Sequence, residues 1–404
     1  MRRAGAGGGH SGARSSFAPG IRPDTVVAPA PRRSTNDEEH AVAEAETNAG
    51  TEPAEGTDAP ASEPGAGDGR EWLIYRGAGE PHDGIRLLPK PPPWRDFDGG
   101  PLVAPGPEPD TATTRRLGMY RHLAEMHRPS PEELELINAA LYLRRPLLVT
   151  GNPGTGKSTL AHSVAYELGL GRVLEWPIVS STTLADGLYR YDALARLQDT
   201  QIAAQMRAFG LQSTVPGGIG SYLRLGPLGT ALLPTATPRV LLIDELDKSD
   251  IDLPNDLLNV LENGEFAIPE LERIAEREPE VEVLTDDGVK VTVRDGRIRC
   301  RAFPFVVLTS NGERDFPAPL LRRCIHLEIG RPDHERLATM VRVHLGDELA
   351  RRADDLIARF LERSRTEQLA TDQLLNAIYL THHAEPPNRD RLADRLIQRL
   401  DQPR

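Results

Sequence analysis

Apolar residues alternate between helix-like and strand-like spacing through the middle of the chain, from about residue 110 to residue 330. Helical spacing predicts one helix that begins after Ser130 and a second helix over residues 160–168. Between the helices, short apolar runs predict buried strands at 146–150, 173–179, 239–243, 303–310 and 324–329. Strands separated by helices predict an α/β fold with a mostly parallel sheet that is covered on both faces.

The pattern changes towards both ends. After residue 330 the strand-like runs stop, and a small all-α domain is predicted over 331–404, with helices at 333–345, 349–365, 372–383 and 389–400. Residues 34–70 contain no Leu, Ile, Met, Phe, Trp or Tyr and a single valine, Val42. Such a segment buries too little surface to offset its ordering entropy, so residues 1–70 are predicted to be a disordered tail. The tail is either a solvated spacer or a docking segment for a partner.

Large apolar residues return over 71–109. Trp72 and Trp94 lie in this proline-rich stretch, which predicts an extended arm that packs on a surface rather than an independent domain. That surface belongs either to the α/β domain at 110–330 or to a neighbouring subunit, and the sequence leaves both alternatives open.

Charge and composition limit the choice of partners. A formal net charge of −12 opposes non-specific binding to phosphate backbones. No apolar run resembles a secretory signal or approaches the length of a membrane span, so no membrane partner is expected. The two cysteines, Cys300 and Cys324, are too few for a disulfide framework and badly spaced for a zinc site. A cytoplasmic protein without a nucleic-acid partner is predicted.

A glycine-rich segment follows the first predicted strand directly. Residues 151–158 fit the pattern G-x-x-x-x-G-K-[ST], in which backbone N–H groups surround phosphates, Lys157 reaches their outer oxygens and Ser158 binds Mg²⁺. The alternative is an ordinary glycine turn, but the order of strand, loop and helix favours a phosphate loop. The predicted nucleotide-binding residues are Gly151, Asn152, Pro153, Gly154, Thr155, Gly156, Lys157, Ser158 and Thr159.

Polar residues also follow two further buried strands. Asp244 is placed to hold Mg²⁺, and Glu245 beside it can accept a proton from an attacking water. Asn311 can orient that water, and Thr309 and Ser310 are weaker alternatives for the same role. Taken alone, the acids could begin a solvated loop and the asparagine could be a turn residue. Their position downstream of a phosphate loop favours catalysis.

Three stretches together resemble an AAA+ ATPase, most closely the MoxR-like branch: GNPGTGKST, LLIDELDKSDIDLPNDLLNVLE and LTSNGERDFPAPLLRRCIHLEI. The resemblance runs from about residue 117 to the C-terminus. It implies a P-loop αβα sandwich followed by an all-α lid, with ATP rather than GTP as the nucleotide. It also implies a homo-oligomeric ring, usually hexameric, in which Arg323 of a neighbour completes the site, with Arg322 as second candidate. The two arginines could instead cap a helix C-terminus.

Two long connections support the MoxR-like placement. Residues 182–233 are longer than a minimal AAA+ module needs and resemble the helix-2 insertion of that branch. Alternating valines over 281–300, around Asp287-Gly288 and Asp295-Gly296, predict a hairpin. Both segments are expected to project from the ring, either as elements that handle a client or as inert surface excursions.

The lid departs from the family pattern at one position. Gln373 stands where many AAA+ proteins carry a lid arginine, and it has no charge to bring to a phosphate. This departure leaves the predicted hydrolysis intact and puts the role of the lid in doubt.

Together these features predict a Mg²⁺-dependent ATPase that remodels or activates a partner protein. The MoxR-like resemblance implies a partner that carries a von Willebrand factor A domain. A chelatase-type motor for metal or cofactor insertion stays open, because nothing in the sequence separates it from general remodelling. A nucleotide-gated scaffold, in which hydrolysis only resets an assembly, is favoured by the uncharged lid position. The acidic balance disfavours a nucleic-acid motor.

Overall fold

The computed structural model describes residues 71–104, 129–209, 218–364, 369–383 and 389–397, so the predicted tail lies outside the described residues. The strands are β1 Leu147–Thr150, β2 Leu174–Pro177, β3 Tyr189–Tyr191, β4 Leu223–Leu225, β5 Val240–Asp244, β6 Glu265–Ala267, β7 Glu280–Leu284, β8 Lys290–Arg294, β9 Arg297–Arg299, β10 Phe305–Ser310 and β11 Ile325–Glu328. The α-helices are α1 Pro131–Leu143, α2 Lys157–Glu167, α3 Leu184–Leu188, α4 Ala193–Ala208, α5 Pro227–Ala231, α6 Asp252–Asn263, α7 Pro269–Glu272, α8 Ala318–Leu321, α9 His334–Leu345, α10 Asp347–Arg352, α11 Asp354–Ser364, α12 Thr371–His383 and α13 Arg389–Leu396. Short 3-10 helices occupy Gly84–Leu87, Pro93–Arg95, Ile219–Tyr222 and Leu246–Lys248.

Five strands form the central sheet, in the order β11, β1, β10, β5, β2, and every pairing among them is parallel. Both faces of this sheet are buried. Successive residues of β1 point to opposite faces, so Leu147 packs in an apolar cluster with α1 and α2, while Leu148 packs in a second cluster with α6. The predicted α/β fold is confirmed, and each of the five predicted strands is present.

A second sheet of six strands, in the order β3, β4, β7, β8, β9, β6, unites the two long connections. The sequence predicted one hairpin over 281–300, whereas the structure has two, because the chain reverses at both Asp-Gly pairs. Asp295 and Gly296 have φ values of 50° and 69°, as a two-residue hairpin turn requires. The inward valines of β7 and β8 are buried in the same cluster as the central sheet. The hairpin is therefore packed against the domain rather than isolated from it.

The arm over 71–104 packs on its own chain. Its main anchor is Tyr75, which is fully buried and whose hydroxyl shares a 2.7 Å hydrogen bond with Ser163. The buried carboxylate of Glu167 accepts three backbone N–H groups of the arm, from Arg76, Gly77 and Gly79. The two tryptophans that suggested the arm are not its anchors, because Trp72 and Trp94 are 40% and 71% exposed.

The helices after residue 330 enclose an apolar cluster of their own. One predicted helix, 349–365, is two helices, which meet at Ala353. Asp354 and Asp355 lie in the first turn of α11, where carboxylates favour a new helix N-terminus. The amphipathic pattern therefore runs through Ala353, although the helix is interrupted there. Among the described helices, none is both long and apolar enough to cross a membrane.

Candidate functional site

Most of the predicted site residues lie together at one edge of the central sheet, whereas Arg322 and Arg323 do not. Three adjacent strands, β1, β10 and β5, are parallel, so their carboxyl ends lie side by side. A cavity of about 340 Å³ opens at these ends, between the sheet and the helical part. It is lined by Pro153, Gly154, Gly156, Lys157, Ser158, Thr159, Asp244, Glu245, Thr309, Asn311, Met340, His344, Thr371, Asp372 and Leu375.

The loop between β1 and α2 has a backbone that only glycine allows at two positions. Gly154 has φ +77°, and a Cβ there would lie 2.7 Å from the backbone nitrogen of Thr371. Gly151 has φ +152°, and a Cβ there would lie 2.6 Å from the carbonyl oxygen of Ile329. The loop ends at Gly156, which caps the N-terminus of α2, so the unpaired N–H groups of that helix face the cavity.

Lys157 is the first residue of α2 and is held by three acceptors. Its Nζ donates to the carbonyl oxygens of Gly151 and Asn152, both at 2.9 Å, and to Oδ1 of Asn311 at 2.7 Å. An ammonium group has three N–H donors, so all of them are used. Burial lowers the pKa of Lys157, and the nearby carboxylates of Asp244, Asp247 and Glu245 oppose this effect.

Two hydroxyl groups meet at one oxygen of Asp244. Ser158 Oγ donates to Asp244 Oδ1 at 2.7 Å, and Thr309 Oγ1 donates to the same oxygen at 2.6 Å. Within the described residues, no group of three or more His, Cys, Asp and Glu side chains could hold a metal ion. Mg²⁺ needs no such group, because it is bound by one or two protein oxygens together with waters and substrate phosphates. The Ser158 hydroxyl and the Asp244 carboxylate fit that donor set.

Glu245 lies just beyond β5 in a left-handed conformation, with φ 60°. This conformation is costly for a residue other than glycine and is held by the surroundings, since its backbone N–H donates to Thr309 Oγ1 at 2.8 Å. Its carboxylate lies between Lys248 Nζ, at 2.6 Å, and Asn311 Nδ2, at 3.4 Å. The hydrogen bond to Glu245 raises the pKa of Lys248. The predicted base and the predicted amide thus share one small network.

Asp247 belongs to this network, although the sequence analysis did not select it. It is buried, and its Oδ2 accepts the backbone N–H groups of Asn311 and Glu313 at 2.9 and 3.0 Å. The 3-10 helix Leu246–Lys248 turns its carboxylate back towards the end of β10. The feature of the sequence that could have indicated Asp247 is its position as a third acid close to Asp244 and Glu245. Thr309, weighed as a weaker alternative to Asn311, contacts both Asp244 and the Glu245 backbone.

The helical part closes one side of the cavity. Thr371 Oγ1 donates to the carbonyl oxygen of Gly154 at 2.7 Å, which joins the start of α12 to the glycine loop. Gln373, the residue predicted to replace a lid arginine, does not line the cavity. Its side-chain oxygen accepts the backbone N–H of Ala370 at 3.1 Å, and Asp372 and Leu375 line the cavity in its place. The sequence alone does not fix which residues of α12 face the cavity.

Arg322 and Arg323 lie outside the cavity, directly after α8. Both are exposed, and Arg322 Nε donates to the carbonyl oxygen of Ala318 at 3.3 Å. Arg323 donates from Nη1 to the carbonyl oxygen of Pro319 at 3.2 Å, and its Nε lies 3.3 Å from Glu262 Oε2. No arginine is among the described residues that line the cavity. We call the surface formed by Arg322, Arg323 and Glu262 the arginine face.

Comparison with known proteins gives a family match for the part of the chain that contains the cavity. The family model for the AAA domain, dynein-related subfamily, matches residues 146–324, a range that extends from β1 to the arginine face. Among solved structures, the chain is similar to PCH-2 of C. elegans, with 15% identity, a TM-score of 0.31 and coverage of 72% of this chain and 70% of that one. No curated protein matches the chain. Residues 146–324 therefore match a model of the AAA domain, the parallel sheet and its helices have the P-loop AAA+ fold, and AAA domains generally bind ATP with Mg²⁺.

Proposed function

We propose that the chain is a Mg²⁺-dependent ATPase that assembles into a ring and remodels a partner protein. One observation carries the proposal, namely the meeting of a lysine, a hydroxyl, two acids and an amide at the carboxyl ends of three adjacent parallel strands. These are the groups that phosphoryl transfer needs, because its catalysis consists mainly of positioning and charge stabilisation.

Each side chain has a role that follows from its place. The Lys157 ammonium exchanges the loop carbonyls for phosphate oxygens when nucleotide enters, since both are acceptors. Asn311 orients the attacking water, and Glu245, which its amide already contacts, accepts a proton from that water. Ser158 and Asp244 would hold Mg²⁺, which neutralises phosphate charge when bound.

We infer ring assembly because the cavity needs an arginine that its described lining residues do not supply. Negative charge spreads over the phosphate oxygens as the bond breaks, and an arginine supplied by a neighbour stabilises it. The described lining residues include no arginine, whereas Arg322 and Arg323 are exposed on another surface of the same domain. We infer that Arg323 of one subunit completes the site of the next, so that turnover depends on assembly.

The insertion helix α4 supports a role in handling a client. It presents apolar side chains to solvent rather than to the domain. The exposed apolar residues are Leu194, Leu197, Ile202, Met206 and, directly after the helix, Phe209. Consistent with the MoxR-like resemblance, we propose a client that carries a von Willebrand factor A domain. Capture of clients on a variant that binds ATP without hydrolysing it tests this class, and capture without any such domain would exclude it.

A nucleotide-gated scaffold is the second candidate. The ion pair of Lys248 with Glu245, at 2.6 Å, favours it because a carboxylate engaged in this way must be released before it can accept a proton. In such a scaffold, assembly follows nucleotide binding and hydrolysis is slow. Turnover that rises when a client is added would argue for remodelling, and turnover that ignores every client would argue for the scaffold.

Glu245→Gln is the direct test of hydrolysis. We expect the variant to bind ATP with unchanged affinity and to lose turnover by about a hundredfold to ten-thousandfold, because it keeps the shape of the base without its basicity. Asp250→Asn is the matched control, since this exposed acid follows the same strand outside the cavity. Steady-state phosphate release and nucleotide titration measure both quantities. Equal turnover in the two variants would remove Glu245 from the mechanism.

A further inference from the structure

Glu262, at the end of α6, stands between two guanidinium groups. Its Oε2 accepts a 3.0 Å hydrogen bond from Arg95 Nη2 and lies 3.3 Å from Arg323 Nε. Arg95 belongs to the arm and is separated from Glu262 by most of the AAA domain in the sequence. The arm therefore contacts the arginine face at Glu262, through the carboxylate oxygen that also contacts Arg323 and through the backbone carbonyl oxygen, which accepts from Arg95 Nη1 at 3.4 Å.

Arg95 is held much more firmly than Arg323. Only 4% of its side chain is exposed, and its Nη1 donates to the carbonyl oxygen of Leu261 at 2.6 Å. Its guanidinium also lies over the ring of Phe303, 5.2 Å from the ring centroid. By contrast, 44% of the Arg323 side chain is exposed. A buried, multiply bonded arginine can fix the Glu262 carboxylate in one orientation, which an exposed carboxylate would not keep by itself.

The contacts of Arg323 involve two of the three nitrogen atoms of its guanidinium, both held by residues of its own domain. Nε is taken by Glu262 and Nη1 by Pro319, while the described part of the chain assigns no partner to Nη2. The outer edge of a guanidinium held in this way is the edge that binds phosphate oxygens with two parallel hydrogen bonds. Glu262 is thus placed to aim Arg323 away from its own domain.

We propose that Arg95 is a positioning residue, which acts through Glu262 to orient the arginine that one subunit supplies to the site of its neighbour. This inference rests on the proposed ATPase function, and it gives the arm a role in orienting Arg323. Docking of the arm completes the arginine face. A subunit with an undocked arm keeps its own nucleotide pocket, but its Arg323 is not oriented towards the site of the next subunit.

A double-mutant cycle in the full-length chain tests the proposal. Arg95→Ala should lower kcat roughly tenfold to a hundredfold, as expected for misplacement of a catalytic group, and leave the affinity for ATP unchanged. In the Arg323→Ala background the same substitution should lower kcat no further, because a positioning residue has nothing left to position. Asp98→Asn is the control, since it removes another ion pair of the arm, with Arg299 at 2.8 Å, that does not involve Glu262. It should leave kcat at the wild-type value.

The cycle separates orientation from mere stability. Equal losses of kcat from Arg95→Ala in both backgrounds would overturn the proposal, and so would a wild-type kcat for Arg95→Ala. If Arg95→Ala does not fold, Glu262→Gln takes its place in the same cycle, because it keeps the shape of the linking side chain and removes its charge. A wild-type kcat for Arg323→Ala, alongside an inactive Glu245→Gln, would overturn this inference and leave the ATPase function standing.

Discussion

The pocket and the arginine face differ in how their polar groups are satisfied. In the pocket, the ammonium of Lys157 has three acceptors and the carboxylate of Asp244 receives two hydroxyl groups. These partners come from the glycine loop, the first turn of α2, and the end of β10 with the residue that follows it. On the arginine face, nearly half of the Arg323 side chain is exposed, and it contacts the carbonyl oxygen of Pro319 and the carboxylate of Glu262, which Arg95 of the arm also contacts. The polar groups of the pocket are therefore held by contacts close to the sheet edge, whereas Arg323 is partly exposed at the surface.

Removal of Arg323 should give the largest effect that separates the two regions. We expect Arg323→Ala to lower kcat about a thousandfold or more, the usual loss when such an arginine is absent, with little change in ATP affinity. Every group that binds nucleotide in the pocket belongs to the same subunit. The variant should therefore lose turnover while its affinity for ATP stays nearly unchanged. Single-turnover kinetics and nucleotide titration measure the two.

Arg322→Ala is the matched control for this prediction, because Arg322 is equally near α8 but, within the described residues, donates to the carbonyl oxygen of Ala318 and not to Glu262. We expect it to keep most of its turnover. Dilution should lower the specific activity of the wild-type chain, since a neighbour supplies the arginine. Activity that is indifferent both to dilution and to Arg323→Ala would show that each subunit works alone.

The pocket could be predicted from the sequence because its signals are local. The glycine loop, Asp244, Glu245 and Asn311 each end an apolar run, and parallel strands bring such ends together without further information. Thr309 was undervalued because its role depends on a hydroxyl reaching a neighbouring strand. Gln373 does not line the cavity, because a match to the family pattern does not fix which side of α12 faces the cavity.

The support of the arginine face could not be predicted in the same way. Arg95 and Glu262 are joined by packing across the whole domain, and no periodicity records that contact. The tryptophans suggested an arm, but Tyr75 anchors it because its hydroxyl finds a buried partner in Ser163. Likewise β4 and β7 pair across two connections that the sequence treated as separate. The contact of Arg95 with Glu262, the anchoring of the arm at Tyr75 and the pairing of β4 with β7 all depend on tertiary contacts between segments that are distant in the sequence.

A smaller effect should come from the Mg²⁺ side of the pocket. Thr309→Val keeps the volume of the side chain and removes the hydroxyl that contacts both Asp244 and the Glu245 backbone. We expect the Mg²⁺ concentration for half-maximal turnover to rise about tenfold, because groups that orient a metal ligand usually have effects of that size. Thr235→Val is the control, since this buried threonine donates to the carbonyl oxygen of Thr237 outside the cavity. An unchanged Mg²⁺ requirement in Thr309→Val would remove Asp244 and its partners from the metal site.

The smallest effect concerns how firmly the arm is docked, and it depends on pH. Burial is the main cause that raises the pKa of Tyr75, with Glu167 and Glu133 acting in the same direction. The folded state therefore keeps the Tyr75 proton when the unfolded chain releases it, near pH 10. The contribution of neutral Tyr75 to stability is complete below about pH 10 and falls as the pH rises above it, by up to about 1.4 kcal/mol per pH unit.

Tyr75→Phe separates this contribution from all other titrations. At pH 7 the variant should be less stable by about 1 kcal/mol, because it loses the hydrogen bond to Ser163. It carries no proton to lose, so its free energy of unfolding should fall less steeply above pH 10 and should cross that of the wild type near pH 11. Urea unfolding from pH 7 to pH 11 gives both curves. Parallel curves would mean that Tyr75 ionises as freely in the folded chain as in the unfolded one, and that the arm is not fixed at this residue.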